Sequence, residues 1–381
     1  MIESLYVHVP FCSYKCPYCD FVSFAGSAVS HEDYLNLLVK ELRLYRDESF
    51  SLKTLYLGGG TPSLISPELY KKFLKALDVD LSQLEEFTIE CNPETYREEE
   101  FKKMKDLGLN RVSVGVQSFK EKGLRMLGRR HTVKESIDCI MSAYHAGIEN
   151  ISIDLIYAYP NQTLEDLKEE LRFIEDLPIK HASCYILTPY EDTLFGHLLS
   201  KGELQLPDAD KIADMYLFLV EKLSSLGFDH YEISNFAMPG YECRHNLSYW
   251  LGKEFLGLGV SAWSFVRDVR FGNTKNLNKY ATLVLMGRKP AEQWEVLKGK
   301  RKLQDMLFTR LRTKWGIPKQ YANLIPEDLS EFFEITNESI RLKEEGMLLI
   351  NEILMKVFEF LEAKHDLLLH EKAPANWQAT L

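Results

Sequence analysis

The chain has 381 residues, of which 45% are hydrophobic and 27% charged, a balance that excludes a globally disordered polymer. Its formal net charge of −10 argues against a general phosphate-backbone binder, and so against nucleic acid as a partner. No apolar run is long enough to cross a bilayer, and the N-terminus lacks a basic segment backed by an apolar stretch. The expectation is a cytoplasmic protein whose only membrane contacts would be peripheral.

Along the chain, apolar and β-branched runs alternate with helix-period stretches. Strands are predicted at Leu5–Val9, Thr54–Leu57, Glu86–Cys91, Arg111–Val116, Ile151–Ile156 and His181–Leu187. Helices are predicted at His31–Arg46, Pro67–Leu77, Glu98–Leu107, Val133–Ala146 and Leu164–Leu177. Ser66-Pro67 reads as a cap followed by proline in the first turn, and Gly108 and Gly147 stand where helices stop. Near-continuous apolar strands alternating with helices imply a parallel sheet. Unusual polar residues fall at the C-terminal ends of six strands, which is how a barrel assembles a site. Six units rather than eight predict an α/β fold of the partial (β/α)6 TIM-like barrel kind, over residues 1–236.

Beyond it, a helix is expected at Asp208–Leu226 and one more strand at Tyr231–Phe236. Residues 237–275 read as a loop-rich connection and 276–370 as a helical C-terminal domain, with 371–381 a frayed tail. Within that domain, Ser339–Leu342, a turn at Glu345-Gly346, Met347–Ile350 and a helix from Glu352 read as a small β-hairpin followed by a helix.

Three of the seven cysteines, Cys12, Cys16 and Cys19, fall on one loop after the first strand. The spacing is C-x3-C-x2-C. Three thiolates on a short loop can hold a [4Fe–4S] cube and leave one iron open to a small ligand. The competing reading is zinc held by three cysteines and a histidine such as His8 or His31, in a structural protein. Further along lie Gly58-Gly59-Gly60-Thr61-Pro62, whose glycines let a ligand approach the backbone, then Glu90, Gln117, Arg129 and Asp154. A strand-end carboxylate suits a ribose hydroxyl pair, and an arginine fork suits a carboxylate. Each of these residues also has a bland reading as a cap or structural ion pair. Their joint placement on one rim favours a site.

The cysteine spacing resembles the radical SAM superfamily. The phrases Tyr6–Cys12, Gly58–Ser63, Ser113–Phe119, Asp154–Tyr157 and Tyr231–Phe236 resemble one branch of it, the oxygen-independent coproporphyrinogen III oxidases and the related haem chaperones. The resemblance implies a [4Fe–4S] cluster on Cys12, Cys16 and Cys19 and S-adenosylmethionine on its open iron. It also implies that Tyr6, Gly59, Gly60, Thr61, Glu90, Gln117, Arg129 and Asp154 contact that cofactor.

Two features favour the chaperones over the oxidases. Oxidases carry a further cysteine two residues past the third ligand, where this chain has Phe21. The segment His245-Asn246-Leu247-Ser248-Tyr249-Trp250 matches the chaperones' HNxxYW motif. The resemblance implies haem as cargo, with His245 as iron ligand and Tyr249 and Trp250 against the porphyrin, and a haem-acceptor protein as partner. The bland reading makes Tyr249 and Trp250 a barrel plug and His245 a loop residue. Relatives often carry a histidine where this chain has Trp263, so no second axial ligand is expected from that loop. The alternative function is the oxidase reaction itself, the decarboxylation of coproporphyrinogen III to protoporphyrinogen IX.

Overall fold

The computed structural model describes residues 1–363. Six strands run parallel and pair in chain order: β1 (Ile2–Val9), β2 (Phe50–Gly59), β3 (Glu86–Cys91), β4 (Arg111–Gln117), β5 (Asn150–Tyr157) and β6 (His181–Ile186). Helices α1 (His31–Arg43), α2 (Pro67–Leu77), α3 (Glu98–Asp106), α4 (Glu121–Met126), α5 (Val133–His145) and α6 (Leu164–Asp176) form the crossovers. Side chains of Ser30, Ser66, Thr132 and Thr163 cap four of them by accepting an N–H of the first turn. The strands are buried almost throughout because one face meets the helices and the other the barrel interior. Strands β1 and β6 do not pair, so the barrel stays open. This is the six-stranded partial barrel expected from the sequence.

Both edges are extended. Beyond β6 and the helices α7 (Leu194–Ser200) and α8 (Ala209–Ser225), the single strand expected at Tyr231–Phe236 is a hairpin, β7 (Asp229–Glu232) and β8 (Asn235–Ala237). Its second strand pairs antiparallel with β6. After α9 (Arg244–Trp250), β9 (Phe255–Leu258) joins β1 in parallel. Strands β10 (Trp263–Val266), β11 (Val269–Asn273) and, after α10 (Leu277–Leu285), β12 (Ala291–Val296) then add antiparallel. Residues 237–275 are therefore mostly ordered structure. The twelve-stranded sheet also reaches past 275, into the part expected to be helical.

The remainder holds α11 (Gly299–Arg310) and a small sheet of β13 (Ile317–Pro318), β14 (Phe333–Ile335) and β15 (Ser339–Leu342), followed by α12 (Glu344–Leu348) and α13 (Ile350–Ala363). A small β element is present, but β15 pairs with two preceding strands. Met347–Ile350, expected as its partner strand, instead ends α12 and begins α13. A four-residue apolar run fits a buried helical turn as well as a strand, and nothing local separates the two. The expected tail at 371–381 lies outside the described residues. Among the described residues no helix is long and apolar enough to cross a membrane.

Candidate functional site

A cavity of about 630 Å3 opens at the C-terminal ends of the strands. Cys12, Cys16, Cys19, Gly59, Gly60, Thr61, Glu90, Gln117, Arg129 and Asp154 all line it. Ten of the residues picked from the sequence thus share one chamber.

The cysteine loop is fixed at both ends. Phe11 and Cys12 pair with Phe24 and Ala25, and the Phe195 N–H donates to the Pro17 carbonyl at 2.9 Å. Arg129 Nη1 donates to Cys16 Sγ at 3.3 Å and Thr61 Oγ1 to Cys12 Sγ at 3.6 Å. Burial pushes the Cys19 thiol up to about 11, so a bound cation is what would draw off its proton. His8, one zinc-ligand candidate, is occupied by the Tyr6 hydroxyl at 3.1 Å and the Val22 carbonyl at 2.8 Å. His31, the other, packs on the Phe11 ring. The cysteine loop itself turns three thiols to the chamber, a donor type that suits an iron–sulfur cube.

Gly59 and Gly60 run close beneath that loop. Gly59 has a φ of +116°, and a Cβ there would meet the His8 ring at 2.7 Å. A Cβ on Gly60 would meet the Phe11 carbonyl oxygen at 2.6 Å and Cys12 Sγ at 3.0 Å. Glu90 accepts from the Tyr56 hydroxyl and the Gly59 N–H, both at 2.9 Å. Burial, with Asp154 nearby, pushes its carboxyl up to about 7. Asp154 accepts from Ser113 at 3.1 Å and is also raised by burial. Gln117 takes a positive φ of 65° where β4 breaks register with β5. Arg129 is half-buried, and its buried Nε has no protein partner among the described residues. Two carboxyls, an arginine with a spare donor and an open glycine strand match the hydroxyl, amino and carboxylate groups of S-adenosylmethionine.

Tyr6, His245, Tyr249 and Trp250 are not among the residues lining the chamber. Tyr6 supports it from below, through His8. Helix α9 plugs the barrel interior at the N-terminal ends of the strands. Its first N–H groups, from Arg244 and His245, donate to Glu86 at 2.8 and 3.0 Å. His245 is fully buried, with Nδ1 on Thr54 Oγ1 at 2.8 Å and Nε2 on the Tyr249 hydroxyl at 2.6 Å. Its ring stacks on Tyr56 at 5.1 Å. Burial, with Arg111 nearby, lowers its pKa to about 3. Both ring nitrogens have protein partners, so the imidazole serves here as part of the plug, and the expected axial ligation would require one of these bonds to break.

Sequence reasoning passed over three residues. Asn92 joins the site together, donating to Thr61 at 3.1 Å and accepting from Arg129 at 2.9 Å. It follows Glu90 by two positions, so the strand's alternation turns both inward, and that was the available signal. Glu86 and Arg111 lie inside the barrel at strand starts, where nothing in the local sequence shows that a distant helix packs on them.

The parallel six-stranded partial barrel and its three-thiol loop define a class, that of partial barrels built around an iron–sulfur cluster and S-adenosylmethionine. Residues 6–174 match the model of the Radical SAM superfamily. The solved structure titled "Coproporphyrinogen III oxidase (HemN) from Escherichia coli is a Radical SAM enzyme" superposes with a TM-score of 0.79, covering 93% of this chain and 90% of that one. At 22% identity it speaks for the fold alone. The heme chaperone HemW of Lactococcus lactis subsp. lactis is 37% identical over 317 residues, covering 83% of each chain. That of Bacillus subtilis is 33% identical over 371 residues, covering 92% of this chain and 98% of that one. The chain belongs to the HemW family.

Proposed function

We propose that this protein is a haem chaperone of the radical SAM type, binding haem and passing it to an acceptor protein. The observation that carries this reading is the similarity to proteins named as haem chaperones over nearly their full length. Phe21, standing where the oxidases have a fourth cysteine, supports it. Cys12, Cys16 and Cys19 hold the cluster. Gly59, Gly60, Thr61, Glu90, Gln117, Arg129 and Asp154 hold S-adenosylmethionine beside it, with Tyr6 bracing the floor. When bound, the two supply one-electron chemistry at the chamber wall. The residues themselves orient the ligand and shield it from water.

The test is anaerobic incubation of cluster-loaded protein with coproporphyrinogen III, reductant and S-adenosylmethionine, beside gel filtration of the haemin-loaded protein. The reading predicts no protoporphyrinogen and about one retained haem per chain. Protoporphyrinogen formation, or loss of haem on the column, would overturn it.

A further inference from the structure

The chamber's outer half differs from its floor. Phe21 is 61% exposed, Tyr185 42%, Ile186 40% and Tyr190 51%, and all four line the mouth. Leu187 and Ile233 continue this wall, and Met347, Leu348 and Ile350 close it from α12 and α13. Phe21 comes from the cysteine loop, Tyr185 to Leu187 and Tyr190 from the end of β6 and the segment after it, Ile233 from the turn between β7 and β8, and Met347, Leu348 and Ile350 from the C-terminal helices. Four separate segments thus converge large apolar side chains on one opening. Water-exposed apolar surface gathered at a cavity mouth marks a binding surface.

The wall suits a flat apolar ligand with acidic edges. Lys15 lines the same rim and holds the Phe21 carbonyl at 3.0 Å, placing a cation where a carboxylate would emerge. Tyrosine hydroxyls and a methionine thioether are kinds of donor that ligate haem iron, and Tyr185, Tyr190 and Met347 line this wall. Among the described residues no histidine lines it. His245 lies beneath the floor with both ring nitrogens occupied.

We propose that haem seats across this mouth, between Phe21 and the wall of Ile186, Leu187 and Leu348, in the outer half of the cluster chamber and away from His245. The inference rests on the haem-carrying reading above. It gives the C-terminal helices a function, as one side of the haem seat.

The experiment is haemin titration followed by absorption, on native protein, Phe21→Ala, Ile186→Lys, Leu348→Lys and His245→Ala. The three wall variants should each weaken haemin binding roughly ten-fold or more, as expected for removing or charging a buried apolar contact. His245→Ala should stay within about three-fold of native. Because His245→Ala removes a buried residue, amide hydrogen exchange on native protein with and without haemin supplies a second reading. Haemin should protect residues 185–190 and 344–351. Wall variants that bind like native, with protection confined to residues 244–250, would overturn the seat and leave the chaperone reading standing. No haemin binding by native protein would instead overturn the chaperone reading.

Discussion

Replacing His245 with alanine separates a structural plug from a waiting ligand. The imidazole links Thr54 and Tyr249 and stacks on Tyr56. Its removal deletes two buried hydrogen bonds, worth about 1 kcal/mol each, strands two hydroxyls and opens a void. The sum is about 2–4 kcal/mol. For a chain of this size that lowers Tm by about 3–5 °C. The pH dependence adds a signature. The folded ring has a pKa of about 3, whereas the unfolded ring titrates near its ordinary 6.5. As pH falls below 6.5 the unfolded chain takes up a proton that the folded chain refuses. Native protein therefore loses about 1.4 kcal/mol between about pH 7.5 and 5.5 through this group, and the variant does not. Paired thermal melts should show a Tm gap that is wide at the higher pH and narrower at the lower. A variant that melts within about 1 °C of native, with no narrowing, would refute the plug.

Three further outcomes follow from the site. Changing Cys12, Cys16 or Cys19 to alanine should bring cluster iron and sulfide near zero, whereas Cys184→Ala, in a buried strand, should leave both in place, as read by iron and sulfide analysis after anaerobic purification. Arg129→Lys keeps the charge but loses the fork, and should weaken S-adenosylmethionine binding to cluster-loaded protein about ten-fold or more in equilibrium dialysis. Glu86→Gln leaves one N–H at the start of α9 without an acceptor and should cost about 1–3 kcal/mol in denaturant unfolding, with no change in cluster content.

The barrel was readable because its strands and helices announce themselves locally. Pro67–Leu77 and Glu86–Cys91 have the predicted bounds, since caps and apolar runs there agree with the fold. The site was readable because parallel strands bring their C-terminal ends together, so residues far apart in sequence meet on one rim. The region after Ala237 was not. Helix α9 has seven residues, and its N-terminal donors are satisfied by Glu86, about 158 positions away in the chain. Strands β9 to β12 owe their pairing to β1 and to one another, which no local pattern records. His245 shows the same limit. Residue type says that an imidazole can ligate iron, but only the packed structure says that Thr54 and Tyr249 already occupy it.

The central claim is that the chamber carrying the cluster also receives haem. Haemin titration of the cluster-loaded protein, followed in the Soret region, tests it most directly. A saturable spectrum complete at about one equivalent per chain, weakened roughly ten-fold by Ile186→Lys, is the predicted result. A linear, unsaturable rise that Ile186→Lys leaves unchanged would contradict it.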